Sequence, residues 1–351
     1  MGILSRLFGR PRPARPTRRA SPRRTPAAPE ERSVAPASGQ RAAPERALRE
    51  GIYHPVPPAA DEEIAEFAEA RLEGLRGLAV NPTDRRCLEG LATSIAAGKL
   101  DIPVLPEVAG SLLSLGESSD LDNDDVADLI RRDQALAAQI LRYANAPTMG
   151  AGRIQSLDHC VSMLGFEMVR SLAVAAALGE GVYRVPGYDR ETRSLQSHSH
   201  EVAETAASLA RTTDLCGAGD AYMAGLFHDV GKVVAYRNLS ALRRKTRGGR
   251  PTELLIKKLI DELHPLLGTC FAEARELPEL LRWTVGHHHV PGRVPDEHRP
   301  IVGLVAFAEL VSEEPERIED LEDGSDPALS DPDLWPACMP DIADLLEGLP
   351  G

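Results

Sequence analysis

The sequence predicts an essentially all-α fold, and three observations carry that prediction. Ala and Leu dominate a chain that is 42% hydrophobic but only 4% aromatic, a composition that suits packed helices better than the β-branched and aromatic faces of sheets. Few stretches alternate apolar and polar residues, so the period of a half-buried strand is missing. Apolar residues recur instead three and four apart, in runs separated by short Gly or Pro breaks.

Taken in order, residues 1–52 come first and differ from the rest. Residues 1–50 hold 12 Arg and 4 Glu among many Pro, Ala and Ser. Such a segment cannot bury enough apolar surface to offset the entropy of ordering, and a disordered basic tail is expected. Its first ten residues place Ile3, Leu4, Leu7 and Phe8 on one side and Arg6 and Arg10 away from it, which fits a frayed terminus carrying a few apolar residues and, as the alternative, a short interfacial anchor. Asp61 to Leu78 reads as an amphipathic helix with Ile64, Phe67, Leu72 and Leu75 inward and acids in its first turn. Thr83 to Ala97 is a second, with Cys87, Leu88, Leu91 and Ile95 on one face. These accessory helices, within residues 53–98, cap the following domain or bind a partner. From Leu100 the chain continues as helices, among them Asn123–Ile130 and Gln134–Ala144, the latter closed by Asn145 as a C-cap. Thr246 to Pro251 is a loop. Residues 316–351 form an acidic, Pro-rich tail, with Trp335 and a short helix from Ile342 to Leu349 as the parts suited to docking back.

The richest stretch is Ala221–Lys232, AYMAGLFHDVGK, where an apolar run ends in His228 and Asp229. Imidazole and carboxylate side by side are poor core material unless they find a partner, and together they suit a metal ion. The competing interpretation is a helix C-cap with Gly231 left-handed and His228 a satisfied core residue. Other histidines fall in register with apolar faces. His198 shares a helical face with Val202, Thr205 and Leu209, whereas His200 points nearly opposite, toward solvent. His264 precedes Pro265 and is placed at a helix start. In LRWTVGHHHVP, Leu281, Val285 and His288 share a face with His289 on its flank, which leaves His287 on the surface. These intervals are too long and irregular for a zinc finger. They fit a site assembled from several helices of a bundle.

The H…HD…H…HH order with HDVGK resembles the HD superfamily of metal-dependent phosphohydrolases, in its HD-GYP and HDOD branches. The flanks resemble HDOD domains in particular: Pro103 and Pro106, Asp133 to Leu136, Leu141 to Asn145, Leu164-Gly165 and Arg170 stand in the expected order. The resemblance covers roughly Leu100 to Glu313. It implies a multi-helix bundle of the HD/HDOD type over residues 99–315, with a helical half (99–190) serving interaction and an HD-like half (191–315). It also implies that Asp229 bridges two ions, that His198, His228 and Glu309 hold the first and His264, His288 and His289 the second, and that Lys232 neutralises phosphoryl oxygens. Glu309 stands where the superfamily has Asp, and the GYP signature is absent from HHHVPGRVPDEHRP, so hydrolysis of cyclic di-GMP has no support. The donors suit one or two ions of Mn, Fe or Zn. The resemblance favours a regulatory signal-transduction protein acting through protein partners. The alternative is a phosphohydrolase acting on a phosphate-containing small molecule.

Composition limits the remaining classes. The five cysteines are odd in number, widely spaced and free of CxxC, as expected for small core residues in a reducing cytoplasm. No stretch of about 18 apolar residues is present, so membrane contact would be peripheral, at the inner face, through residues 1–50. The net charge is −13 although residues 1–50 carry +8; the acidic remainder argues against broad nucleic-acid binding. Deleting residues 1–10 is expected to abolish co-sedimentation with anionic vesicles; unchanged sedimentation would exclude the anchor.

Overall fold

Leu72, Leu75, Leu88 and Leu91 are buried and enter the core from two helices outside the expected 99–315 domain. The computed structural model describes residues 61–114, 130, 134–146, 153–179, 181–246 and 249–349. The basic tail, its apolar first ten residues, Asp133 and all but the last residue of the expected Asn123–Ile130 helix lie outside them. The described residues are helical with no strand, as the composition predicts.

Helix α1 (Asp61–Leu75) tightens into a 3-10 turn at Arg76–Leu78. Helix α2 (Pro82–Ala96) starts where the Asn81 side chain accepts the backbone N–H groups of Thr83 and Asp84, with proline at its first position. The Asp84 carboxylate is fully buried. It accepts the Thr252 N–H at 2.9 Å and the Thr252 hydroxyl at 3.3 Å, 168 residues away, at the start of a later helix. Both accessory helices therefore cap the HD-like half.

The helical half contributes α3 (Glu107–Ser114), α4 (Gln134–Ala144), α5 (Leu157–Leu164) and α6 (Phe166–Leu178). The first three pack on α6, which is buried along almost its whole length. Asn145 ends α4 by a clasp, without a left-handed cap. Its amide donates to the Leu141 and Ile154 carbonyls and accepts the Ile154 N–H. Gly165, at φ 81°, makes the break between α5 and α6.

The HD-like half contributes α7 (Asp189–Thr213), α8 (Ala218–Phe227), α9 (Val230–Thr246), α10 (Glu253–Ala274), α11 (Glu279–His287) and α12 (Arg299–Glu313). Helix α7 packs on α8 and α12, α9 on α10, and α10 on α11, while α6 against α8 joins the halves. Two glycines set the closest crossings. A Cβ on Gly225 would lie 2.7 Å from Ala203 Cα of α7. A Cβ on Gly231 would lie 2.6 Å from Gly268 N of α10 and closer still to the His264 carbonyl oxygen.

Three expectations are corrected. Gly231 lies inside α9 with no positive φ, so it serves close packing and not a left-handed cap. His264 does not begin a helix: α10 runs through Pro265. Proline biases its predecessor away from helix without forbidding it, and the buried residues on either side of the ring, Leu263 and Leu266, hold the helix to its course. The cysteines are not uniformly core residues, since Cys338 is exposed and Cys216 and Cys270 are half-buried.

The C-terminal segment, with α13 (Ile318–Glu322) and α14 (Ile342–Glu347), docks back as the alternative to a solvated tail. Trp335 packs edge-on against Phe307 of α12 at 5.8 Å, Leu345 is fully buried, and buried Asp326 pairs with Arg317 at 2.6 Å.

Gly231→Ala is expected to destabilise the protein by about 3 kcal/mol or more, because backbone meets backbone and no side chain can yield. Gly74→Ala in α1, where nothing lies within 4 Å, should be neutral or stabilising by about 0.5–1 kcal/mol. Urea denaturation of both variants checks this; equal midpoints would remove the crossing argument.

Candidate metal centre

His228 is the C-cap of α8, and with Asp229 it fills the two-residue gap before α9. Both are fully buried. Their position follows from the glycines that flank them, which seat α8 on α7 and α9 on α10. The other donors come from four further helical positions: His198 on α7, His264 in the middle of α10, His288 and His289 at the end of α11, and Glu309 on α12.

Three imidazoles are oriented alike. Nδ1 of His228 faces the Gly225 carbonyl at 2.7 Å, that of His264 the Ile260 carbonyl at 2.9 Å, and that of His288 the Thr284 carbonyl at 3.0 Å. A carbonyl can only accept, so each Nδ1 carries the proton and each Nε2 is turned inward. This backbone anchoring fixes the tautomer that metal-binding histidines use.

The donors form two sets, each with ligand atoms within 4.8 Å of one another: His198, His228, Asp229 and Glu309, and His264, His288 and His289. Asp229 spans them. Its Oδ2 lies 3.4 Å from His228 Nε2 and 3.6 Å from His198 Nε2, and its Oδ1 lies 3.7 Å from His264 Nε2 and 3.9 Å from His288 Nε2. Glu309 does the same: Oε1 is 3.7 Å from His228, and Oε2 is 3.9 Å from His288 and 3.7 Å from His289 Nδ1. Sequence reasoning assigns Glu309 to the first set alone; its oxygens face both.

These residues fit a divalent cation by a direct criterion. His198 Nε2, His228 Nε2, Asp229 Oδ1 and Glu309 Oε1 are buried without a hydrogen-bond partner, while Asp229 Oδ2 meets the Lys232 ammonium at 2.6 Å; the unpaired atoms are costly unless a charge fills the space between them. His264 Nε2 lies 3.3 Å from His288 Nε2 and 2.9 Å from His289 Nε2. His264 and His288 both carry their proton on Nδ1, so their Nε2 lone pairs face each other at 3.3 Å, and a cation there would relieve that repulsion. Imidazole with carboxylate suits Mn, Fe or Zn.

The electrostatics reflect the same crowding. Burial alone would lower the His228 pKa, but the carboxylates of Asp229 and Glu309 override it and lift it to about 9. Burial opposes the charge on Asp229, yet the Lys232 ammonium and His228 hold its carboxyl well below the usual range. Burial raises Glu309. It lowers His198 to about 4, and it holds His288 well below the usual imidazole value, with His228 adding to both. Lys232 Nζ sits 2.6 Å from Asp229 Oδ2.

Two flanking histidines are misplaced by face arithmetic. His200 is half-buried, its Nε2 3.2 Å from the Tyr143 hydroxyl and its Nδ1 3.4 Å from that of Tyr222. His287 is half-buried against Trp283. Sequence reasoning also passes over Glu313. It lies one turn past Glu309 on α12, with Oε1 3.7 Å from both His198 Nε2 and Lys232 Nζ. The i, i+4 spacing from Glu309 is the signal that could have found it. A cleft of about 630 Å³ opens beside these groups, lined by His198, Lys232 and Glu313 at one end.

Comparison with known proteins places this geometry in a family. The HDOD domain profile matches residues 102–291. An uncharacterized protein of Treponema pallidum (strain Nichols) is 28% identical over 227 residues, covering 63% of this chain; the chain spans less than half of that relative's length, 44%. The crystal structure of a protein of Shewanella amazonensis SB2B, provisionally described as a metal-dependent phosphohydrolase, aligns with TM-score 0.55 and 18% identity over 76% of this chain and 99% of its own. An HDOD domain protein with unknown function from Geobacter sulfurreducens aligns with TM-score 0.49 and 26% identity over 64% and 76% of the two chains. The profile covers more than half of the sequence and contains His198, His228, Asp229, His264, His288 and His289, and the chain belongs to the HDOD family.

Proposed function

We propose that the HD-like half holds a pair of divalent transition-metal ions and hydrolyses a phosphoester, within a protein of signal transduction. The observation that carries this reading is the set of buried, unpartnered donor atoms of His198, His228, Asp229 and Glu309 facing one point. Asp229, Glu309, His198 and His228, together with His264, His288 and His289, would hold the ions. Ions held there supply Lewis acidity toward a phosphoryl group. Lys232 keeps an ammonium at the boundary between Asp229 and the cleft, placed to meet a phosphoryl oxygen. The Shewanella protein's description points the same way. No described helix is long and apolar enough to cross a membrane; peripheral contact through residues 1–50 remains part of the proposal.

A second reading is a regulatory module in which the cluster is structural and α3–α6 bind a signalling partner. The Lys232–Asp229 ion pair favours it, because it compensates the buried carboxylate without any ion.

Elemental analysis of untagged protein is expected to find about two transition-metal ions per chain, lost in Asp229→Ala. Bis(p-nitrophenyl) phosphate hydrolysis should fall by at least roughly 10²-fold in Asp229→Ala and His228→Ala, since metal activation supplies several kcal/mol. Circular dichroism confirms that the variants fold. Activity or metal content unchanged in both folded variants would overturn the hydrolase reading and leave the regulatory one.

A further inference from the structure

We propose that Glu279, Glu297 and His298 form a second metal site, sharing no residue with the buried donors, that binds one zinc ion and ties the start of α11 to the start of α12. Glu279 is the first residue of α11, and Glu297 and His298 immediately precede α12. Each offers one ligand atom, and the three atoms lie within 4.8 Å of one another. His298 Nε2 is 3.6 Å from Glu297 Oε1 and 3.9 Å from Glu279 Oε1. Ligands held about 2.0–2.2 Å from a tetrahedral zinc ion stand about 3.4 Å apart, so small side-chain rotations close the set on an ion.

Two further features point to an ion. His298 is half-buried, and its Nε2 atom is shielded from solvent without a hydrogen-bond partner. The carboxylate oxygens beside it are too distant for a hydrogen bond, yet both are within the span that one shared cation bridges. Glu279 is also oriented from its own helix: its Oε1 accepts the Trp283 indole N–H, one turn along α11, at 3.3 Å. Partners of this kind aim metal-ligating carboxylates. On the other side the backbone sets the direction of His298. Its N–H donates to the Pro295 carbonyl at 3.0 Å, and its carbonyl accepts the Val302 N–H at 3.1 Å.

The donor set selects the ion. One imidazole with two carboxylates favours zinc over Mg or Ca, which prefer oxygen alone. Three protein ligands leave the fourth position to water, and both carboxylates are exposed, so an ion enters directly from solvent. Its effect is to join two helices whose later residues lead into the buried centre, since α11 ends just before His288 and His289 and α12 carries Glu309. The inference is independent of the phosphohydrolase reading.

Trp283 supplies a local reporter. The chain has two tryptophans, so Trp335→Phe leaves the indole that contacts Glu279 as the only one. Titrating this full-length variant with ZnCl2 is expected to change Trp283 emission along a one-site curve, whereas MgCl2 at the same concentrations leaves it unchanged. Adding His298→Ala or Glu297→Gln should raise the half-saturating zinc concentration at least about tenfold, with circular dichroism confirming the fold. Adding Asp229→Ala should leave the curve unchanged, because that residue belongs to the other centre. Metal analysis of His298→Ala should find the ion content of the buried centre intact. The site is overturned by an emission change that survives both His298→Ala and Glu297→Gln. It is also overturned by half-saturation above about 1 mM, which marks adventitious binding only, or by no zinc response at all.

Discussion

Everything at this centre depends on two helix crossings made without side chains. Gly225 lets α8 touch the backbone of α7 at Ala203, and Gly231 lets α9 touch α10 between the His264 carbonyl and Gly268. His228 and Asp229 lie between those glycines, so the crossings place one imidazole and one carboxylate where three helices meet. Helices usually pack with axes 8–10 Å apart, and side chains at both contacts would hold α7 and α10 apart. The distances of 3.4–3.9 Å from Asp229 to four imidazoles would then be lost. The glycines in AGLFHDVGK are thus part of the site although neither carries a functional group.

That placement creates an electrostatic problem which the surroundings solve in layers. Two carboxylates and five imidazoles share a largely buried pocket, where like charges and unpaired dipoles cost most. Backbone carbonyls one turn back fix three of the imidazoles, so their inward lone pairs are imposed by the helices themselves. Lys232 supplies a positive charge to Asp229 from the same helix turn. What remains unsatisfied is concentrated at one place, and there a cation resolves several costs together. Ions and protons compete for such donors.

The legible part of this centre was the part set by local geometry. His198 and His288 were readable because each sits in register with its own helix's apolar face, with His289 on the flank of the latter, and His228 and Asp229 because an adjacent imidazole and carboxylate end an apolar run. The errors came where another element decides. Pro265 suggested a helix start, but tertiary packing carried α10 through it. His200 and His287 lie off their helices' main apolar faces, and their partners Tyr143, Tyr222 and Trp283 occupy what would otherwise be solvent. The reach of Glu309 to both donor sets depends on how α12 crosses the bundle, which no spacing reveals. The docking of the C-terminal segment was open for the same reason: Trp335 and Leu345 are apolar anchors in an acidic stretch, and only the exposed core at Phe307 and α7 gives them a place.

The cleft shares α7, α10 and α12 with the donor cluster, so its walls do not move independently of those residues. Moving α10 to widen the mouth at Asp261 also moves His264, one turn further on. Rotating α9 to turn Tyr236 also turns Lys232 away from Asp229. The accessory helices reinforce that rigidity, since Asp84 on α2 holds the Thr252 N–H at the start of the helix that carries both Asp261 and His264.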